Sequence, residues 1–201
     1  MIILISGSGY MGKTYMAQNL LEKYKISYFS IDHLKMGIYR GMSNCGFTPT
    51  DSTEVIGDRL WPIIKGIIMT NIENKQSLIM EGCYILPHYL KEFEKNYRDK
   101  IIPVFLGFST SYIQENYETK IIKNRCVIED RGELKAEDIS EFRIKEYMKE
   151  NEEYRTRCNK YGEKFFEIRS NYEKEIAMVY DYIDIQKQQI ESGFEEGSDI
   201  R

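Results

Sequence analysis

The amino-acid sequence predicts an α/β fold built on a doubly wound, five-stranded parallel sheet. Three observations lead to this prediction. Five short apolar segments alternate with longer segments of helical periodicity, as in chains whose strands are connected by crossover helices. The first apolar segment, residues 1–5, does not alternate with polar residues, as expected of a strand covered on both faces. A glycine-rich loop then separates this strand from the first helix.

The first half of the chain contains three predicted strands and three predicted helices. The strands are expected at residues 1–5, 25–31 and 77–80, and the helices at residues 13–23, 32–41 and 53–74. Asp32 is expected to be the N-cap of the second helix, and Gly41 to end it. Pro62 is expected to bend or split the third helix, because proline removes a backbone hydrogen bond.

The second half continues the alternation. Helices are expected at residues 87–98, 109–123, 138–161 and 171–189, and strands at residues 101–106 and 164–168. Pro87, Ser109 or Thr110, and Asn171 are expected at helix starts, where proline and short polar side chains are favoured. Pro103 is discordant with a central strand. One domain is therefore expected over residues 1–190, followed by a flexible acidic tail over residues 191–201.

The loop after the first strand contains the most specific motif in the chain. Residues 7–14 read GSGYMGKT and match the phosphate-binding pattern G-x-x-x-x-G-K-[ST], the P-loop or Walker A motif. Gly7 and Gly12 allow tight turns, so that the loop amides form an anion-binding site at a helix N-terminus. Lys13 supplies a charge for the phosphates, and the Thr14 hydroxyl is suited to Mg²⁺. The predicted nucleotide-binding residues here are Gly7, Ser8, Gly9, Tyr10, Met11, Gly12, Lys13, Thr14 and Tyr15.

Two acidic residues follow predicted strands. Asp32 comes after the second strand, and Glu81 after the third. Because ligands of open parallel sheets bind beyond the carboxyl ends of the strands, both are predicted to lie at the edge that carries the loop. Glu81 stands where a carboxylate would assist a metal ion or a substrate. A helix cap would also account for Asp32, and a nearby helix N-terminus would account for Glu81.

Composition narrows the classes of function. The net charge of −4 and the pI of about 5.4 argue against non-specific binding of nucleic acid. No apolar segment approaches the ~20 residues that span a bilayer, and Met1 leads directly into a strand, so a cytoplasmic protein without a signal peptide is expected. The widely spaced cysteines are expected to be reduced: Cys45, Cys83, Cys126 and Cys158. Composition predicts no oligomeric state.

These features together resemble the P-loop small-molecule kinases, the superfamily of adenylate, shikimate and gluconate kinases, chloramphenicol phosphotransferase and the zeta-toxin type. The resemblance covers nearly the whole chain in element order, and only the P-loop is highly specific. It rests on residues 7–14, on Asp32 with the following His33-Leu34-Lys35, on Glu81-Gly82 and on residues 125–135. It implies a strand order of 2-3-1-4-5, a helical lid over about residues 125–137, and ATP with Mg²⁺ as cofactors.

The resemblance also implies roles for individual residues. The expected catalytic residues are Lys13, Asp32, Arg125 and Arg131, with Asp32 holding or deprotonating the acceptor hydroxyl and the two arginines closing over the phosphates. Arg125 also counts among the expected nucleotide-binding residues, together with Arg169 and Asn171 beside the adenine. The acceptor is expected beside Asp32, Lys35, Arg40, Arg59 and Glu81, and Mg²⁺ beside Thr14 and Glu81. Arg59 is equally explained as a solvated helix charge.

Three functions are compatible with the sequence. The first is ATP-dependent phosphate transfer to a small molecule. The second is nucleotide binding by a regulatory protein without an acceptor, and the third is a kinase of a larger acceptor, either a polynucleotide or a toxin-type target. A GTPase is disfavoured, because Asn159-Lys160-Tyr161-Gly162 lacks the aspartate of the guanine motif N-K-x-D. The lid region lacks the dense arginines of nucleoside monophosphate kinases, which disfavours a nucleotide acceptor. Clear shikimate-type or gluconate-type acceptor motifs are also absent from the sequence, so it does not identify the acceptor.

Overall fold

A five-stranded parallel sheet forms the centre of the structure, a computed structural model that describes residues 1–123, 135 and 139–196. The strands lie in the order β2-β3-β1-β4-β5, and each neighbouring pair is parallel. Both the doubly wound α/β fold and the predicted strand order are therefore confirmed. The strands are β1 (Ile2–Gly7), β2 (Tyr28–Ser30), β3 (Leu78–Glu81), β4 (Ile101–Phe108) and β5 (Phe165–Ile168).

Helices cover both faces of the sheet. The α-helices are α1 (Lys13–Tyr24), α2 (Ile31–Gly41), α3 (Thr53–Glu73), α4 (Lys95–Arg98), α5 (Thr110–Asn116), α6 (Glu141–Tyr161) and α7 (Tyr172–Glu196). A 3₁₀ helix at Pro87–Glu92 precedes α4, and a π-helical segment at Tyr117–Ile122 follows α5. Within the part of the chain that the structure describes, no helix is both long and apolar enough to cross a lipid bilayer.

The central strand β1 divides the apolar core into two layers. All six of its residues are buried. Ile3 and Ile5 pack in the layer that contains α1, α5 and α7, whereas Ile2 and Leu4 pack in the layer that contains α3 and the 3₁₀ helix. Since burial of each such side chain contributes about 1.5–3 kcal/mol, both layers require apolar residues from the strand. This is why the sequence of β1 shows no polar alternation.

The start of α2 differs from the prediction. The N-cap is Ser30, and its side chain makes no capping hydrogen bond, so the predicted cap at Asp32 is wrong. Ser30 is paired with Glu81 in the sheet, and the helix begins at the next residue without an intervening loop. Asp32 therefore lies in the first turn of α2, where the helix dipole favours a carboxylate.

The segment predicted as one helix over residues 87–98 is divided. Phe93 between the two short helices has extended backbone angles, φ −86° and ψ 133°. Its side chain is buried, and its ring packs edge-on against Trp61 at a centroid distance of 5.6 Å. Burial of this ring against α3 accounts for the break. In a continuous helix, the Phe93 backbone would be helical and its side chain would point in a different direction.

Two prolines are accommodated without ending their elements. Pro62 lies inside α3, which continues through it to Glu73. Pro103 lies in β4, which is paired with β1 on one side and with β5 on the other. Pairing of β4 with β5 begins at Phe105, so the proline stands where only β1 is paired with the strand.

The C-terminal helix is longer than predicted. α7 begins after Asn171, whose side chain accepts a hydrogen bond from the Lys174 amide at 3.0 Å, as expected of a cap. The helix continues to Glu196, past the predicted end near residue 189. An ion pair between Lys187 and Glu191, 2.6 Å long and one turn apart, supports this extension.

Candidate functional site

The phosphate-binding loop connects β1 to α1 and depends on its glycines. Gly7 has a φ of 129°, and a Cβ atom there would lie 2.0 Å from the carbonyl oxygen of Leu106. Gly12 has a φ of 74°, and its Cβ would lie 2.5 Å from the hydroxyl of Tyr172. The residue between them with positive φ is Tyr10, at 56°, an uncommon conformation for a bulky residue. Such backbone strain is found preferentially at functional sites.

The lysine of the motif lies at the first position of α1. The Lys13 ammonium donates a hydrogen bond to the Ser8 carbonyl at 2.5 Å, so the side chain is folded over the loop. Thr14 is half-buried beside it. The N-terminal amides of α1 and the lysine charge thus lie at one place, which is the arrangement that binds anions at helix N-termini.

Helix α6 contacts this loop through three side chains on two successive turns, and none of them was predicted from the sequence. Tyr147 donates its hydroxyl to the Gly9 carbonyl at 2.5 Å, and the Gly9 amide donates to Glu150 Oε1 at 3.3 Å. Asn151 is buried and accepts from the Ser8 hydroxyl at 2.7 Å. The same Asn151 oxygen accepts from the backbone amide at the end of β4, also at 2.7 Å. The loop is therefore held from both the sheet and α6.

A signal for these residues was present in the sequence. Tyr147, Asn151, Tyr154 and Cys158 recur at helical spacing, and all four are buried on one face of α6. The polar residue among apolar ones on that face marks a position with a hydrogen-bonding role. Charged residues occupy most positions of α6, so only a narrow face of the helix is buried.

Glu81 ends β3 beside the phosphate-binding loop. It is paired with Ile5 and Ser30 in the sheet and is 2% exposed. Burial is the main cause that raises the pKa of Glu81, although hydrogen bonding from Ser30 and the charge of Lys13 act to lower it. Within the described residues, its Oε1 atom has no hydrogen-bond partner. A buried carboxylate oxygen of this kind has unused capacity for a ligand.

The donor set at this position fits Mg²⁺. The Thr14 hydroxyl interacts with the Glu81 carboxylate, which places two hard oxygen groups at the start of α1. Within the described residues there is no cluster of three or more His, Cys, Asp or Glu side chains that would form a complete metal site. Mg²⁺ commonly takes only one or two protein oxygens and completes its shell with water and phosphate oxygens. Thr14 and Glu81 could therefore hold it in that way.

Asp32 belongs to a polar cluster at the same edge of the sheet. Its side chain is about half exposed and pairs with Lys35 at 3.0 Å. Lys35 also donates to the Tyr84 hydroxyl at 2.7 Å. The charge of Asp32 is a minor cause, after burial, of the raised pKa of Glu81, so the two carboxylates lie close together. Lys35 thus positions Asp32, which remains accessible from solvent.

An aromatic cavity of about 430 Å³ lies on one side of the loop. It is lined by Gly12 of the loop, by Tyr15 of α1 and by Asn171 after β5. Phe108 and Tyr112 form its aromatic wall, with their rings stacked at 5.0 Å. A flat aromatic wall beside a phosphate-binding loop is suited to a planar base.

A polar cavity of about 620 Å³ lies on the other side of the loop. It is lined by Gly9 of the loop, by the start of α3 and by α6. Arg157 of α6 pairs with Glu54 of α3 across it, and Glu150 lines its wall. Tyr10 lines both this cavity and the aromatic one. The phosphate-binding loop therefore borders both an aromatic cavity and a charged one.

Several predicted residues lie away from the two cavities. Arg40 and Arg59 are exposed, on α2 and α3, and line neither cavity. The predicted residues at the sheet edge beside the loop also line neither cavity: Lys13, Thr14, Asp32, Lys35 and Glu81. Arg169 lines neither cavity and pairs with Glu167 at 2.7 Å. Arg125 and Arg131 lie outside the described residues, as does the predicted lid except for residue 135. Cys126 also lies outside them, while the other three cysteines are free thiols.

Comparison with known proteins identifies the fold. No protein-family model matches the chain, and no curated protein sequence matches it. Among solved structures, the chain is similar to the shikimate kinase of Aquifex aeolicus, with 13% identity, a TM-score of 0.52, and coverage of 94% of this chain and 99% of that one. It is similar to the shikimate kinase of Acinetobacter baumannii in complex with shikimate, with 13% identity, a TM-score of 0.53, and coverage of 91% and 93%. A protein described as a candidate kinase from Chloroflexus aurantiacus gives 14% identity, a TM-score of 0.51, and coverage of 92% and 96%.

These likenesses extend over nearly the whole of each chain. At such low identity they show the fold and not the activity. The chain therefore has the fold of the P-loop small-molecule kinases, which confirms the predicted resemblance at the level of fold.

Proposed function

We propose that this protein is an ATP- and Mg²⁺-dependent phosphotransferase that moves the γ-phosphate of ATP to a hydroxyl or phosphate of a small-molecule acceptor. The observation that supports it best is the position of the phosphate-binding loop between an aromatic cavity and a polar cavity. A protein that only binds a nucleotide needs the first cavity, whereas a transferase also needs a second one beside the terminal phosphate. The cytoplasm is the location we propose for this activity.

The aromatic cavity is proposed to bind the nucleotide base. Phe108 and Tyr112 offer ring faces, and Asn171 offers polar atoms at the loop after β5. The Gly12 amide lies at the junction of this cavity with the loop, so the phosphates attached to the base would continue along the loop toward Gly9. Arg169 is not needed for this arrangement, since its guanidinium is paired with Glu167.

Charge neutralisation is the main task of the loop residues in the proposed reaction. Lys13 would turn from the Ser8 carbonyl to the phosphates, which offer it a stronger, charge-assisted hydrogen bond. Thr14 and Glu81 would hold Mg²⁺, which supplies neutralisation of charge on the phosphate oxygens. Asp32, accessible and held by Lys35, would accept the proton of the acceptor hydroxyl. Arg125 and Arg131 remain proposed lid residues.

The test is ADP release from ATP·Mg²⁺ in the presence of a panel of nucleotides, sugars, hydroxy acids and antibiotics. Lys13→Met is expected to reduce transfer at least about 100-fold, because one preorganised charge at the transferring group is lost. Asp32→Asn is expected to reduce transfer about 100-fold while ATP still binds. Lys23→Met is the matched control, because Lys23 lies on the same helix in a solvent-exposed ion pair with Asp184.

Two results would contradict the proposal. Binding of ATP without stimulation by any acceptor, and without an effect of Asp32→Asn, would instead support a nucleotide-binding regulatory protein. Stimulation only by a polynucleotide or a protein would support a kinase of a larger acceptor.

A further inference from the structure

Glu150 places a carboxyl group against the phosphate-binding loop. Its carboxylate on α6 accepts a hydrogen bond from the Gly9 amide at 3.3 Å. Backbone amides of such loops are the donors that bind phosphate oxygens. The Gly9 amide thus already donates to a carboxyl oxygen atom, on the side of the polar cavity, which Glu150 also lines.

The position of this contact identifies the phosphate group that would compete for it. Gly12 lines the aromatic cavity, and Gly9 lines the polar cavity. A nucleotide whose base lies in the aromatic cavity would therefore have its inner phosphates near Gly12 and its terminal phosphate near Gly9. The terminal phosphate of a triphosphate and the carboxylate of Glu150 require the same amide.

The surroundings of Glu150 act on the pKa of its carboxyl in opposite directions, with burial the largest cause and a raised pKa the net result. Burial raises the pKa of the Glu150 carboxyl, whereas the positive charge of Lys13 and the hydrogen bond from Gly9 act to lower it. Arg143 contributes in the same direction, and Glu153 opposes it. A terminal phosphate arriving at Gly9 would share the Lys13 charge and would place like charges next to each other in a half-buried site.

We propose that Glu150 is a specificity-determining residue that occupies the terminal-phosphate position of the loop and must leave the Gly9 amide before a nucleoside triphosphate binds. This inference rests on the proposed function, because it assumes that the loop binds the phosphates of a nucleotide. Its consequence is that Glu150 weakens the binding of a triphosphate and has little effect on a diphosphate, whose phosphates do not reach Gly9.

The test compares ATP·Mg²⁺ and ADP·Mg²⁺ affinities by titration calorimetry in the wild type and in Glu150→Gln. Glutamine keeps the shape of the side chain and an acceptor oxygen for the Gly9 amide, but it removes the charge. ATP is expected to bind at least about fivefold more tightly to Glu150→Gln, because the like-charge repulsion is gone. The affinity for ADP is expected to change less than about twofold.

Two further variants make the comparison decisive. Glu152→Gln removes the same charge from the same helix at an exposed position that lines neither cavity, and it is expected to leave the ATP to ADP affinity ratio unchanged. Glu150→Ala removes both charge and acceptor, and it is expected to favour ATP in the same direction as Glu150→Gln. Thermal unfolding of each variant verifies that it is folded.

The outcomes separate this inference from the proposed function. Equal changes in ATP and ADP affinity, or weaker ATP binding in both Glu150 variants, would overturn the role of Glu150 while wild-type ATP binding and transfer still support the phosphotransferase. Absence of binding of either nucleotide to folded wild type and folded Glu150→Gln would overturn the proposed function and this inference together.

Discussion

Gly7 is the residue of the phosphate-binding loop with the least room for a side chain. Gly7→Ala would place a methyl group against backbone of β4, since its Cβ would lie 2.0 Å from a carbonyl oxygen. We expect the free energy of unfolding to fall by about 3 kcal/mol, because rigid backbone must move to admit the methyl group. Denaturant unfolding followed by circular dichroism measures this change.

Gly37 provides the matched control for Gly7. It lies in α2, and a Cβ atom there would meet nothing within 4 Å. Gly37→Ala is expected to be neutral or to stabilise the protein by about 0.5–1 kcal/mol, because alanine is the better helix former. Equal stabilities of the two alanine variants would contradict the close approach between a Cβ atom at Gly7 and the backbone of β4.

Glu81 lowers the stability of the folded protein at neutral pH. Burial is the largest cause of its raised pKa, so the folded protein holds this proton at a higher pH than the unfolded chain, whose carboxyl has the ordinary value of 4.5. Between these two pKa values the folded state binds more protons, so stability decreases as the pH rises through that window. Above that window the full cost of burying the charged carboxylate applies, because its Oε1 has no partner among the described residues.

Glu81→Gln tests this cost. At pH 7 the variant is expected to be more stable than the wild type by about 1 kcal/mol, since no charge is buried. The difference is expected to shrink as the pH falls from the raised pKa of Glu81 toward 4.5, because the wild-type carboxyl becomes protonated first in the folded state and then in the unfolded state. Denaturant unfolding at pH 7 and pH 4 measures both differences. A gain in stability that is the same at both pH values would contradict the assignment to ionisation of Glu81.

At the scale of elements, α6 is held to the loop mainly by Asn151. Asn151→Ala would leave the Ser8 hydroxyl and the amide of Phe108 without their acceptor in a buried site. We expect a loss of about 2–4 kcal/mol of stability, because each buried unpaired donor costs about 1–3 kcal/mol. We also expect weaker ATP binding, because the loop loses a fixed position. Asn159→Ala on the exposed face of α6 is the control, and equal losses in the two variants would contradict this role.

The same helix relates two parts of the proposed site. α6 begins at Glu141, directly after the residues that contain the predicted lid, and its second and third turns contact the phosphate-binding loop.

At the scale of the whole molecule, ligand binding is expected to stabilise the fold. The loop joins the central strand to α1, so a ligand that binds only the folded loop shifts the unfolding equilibrium of the entire domain. ATP·Mg²⁺ at a hundred times its dissociation constant is expected to add about 2.7 kcal/mol, seen as a rise in Tm in a thermal unfolding assay. Lys13→Met is expected to show little of this rise. An equal rise in the variant would place the nucleotide somewhere other than the loop.

Much of the architecture followed from local patterns. The apolar run of β1 and the motif that follows it could be interpreted from local sequence, because a short β-branched apolar run before a glycine-rich loop is typical of a buried parallel strand. The predicted positions at which helices begin and end were less accurate. The cap at Asp32 and the helix over residues 87–98 were wrong, since pairing of Ser30 with Glu81 and burial of Phe93 decided those positions.

The residues of the candidate site also fall into two groups, those that the sequence predicted and those that it did not. Sequence alone determined the α/β class, the phosphate-binding loop and the sheet edge at which Asp32 and Glu81 lie, because these follow from short-range composition and from the direction of parallel strands. The contacts of Glu150 and Asn151 with that loop join residues more than a hundred positions apart, and they became visible only in the folded chain. The folded chain also shows that Arg40, Arg59 and Arg169 line neither cavity. The physical reason is that contacts between distant segments depend on how helices pack across the sheet, which local residue patterns do not encode.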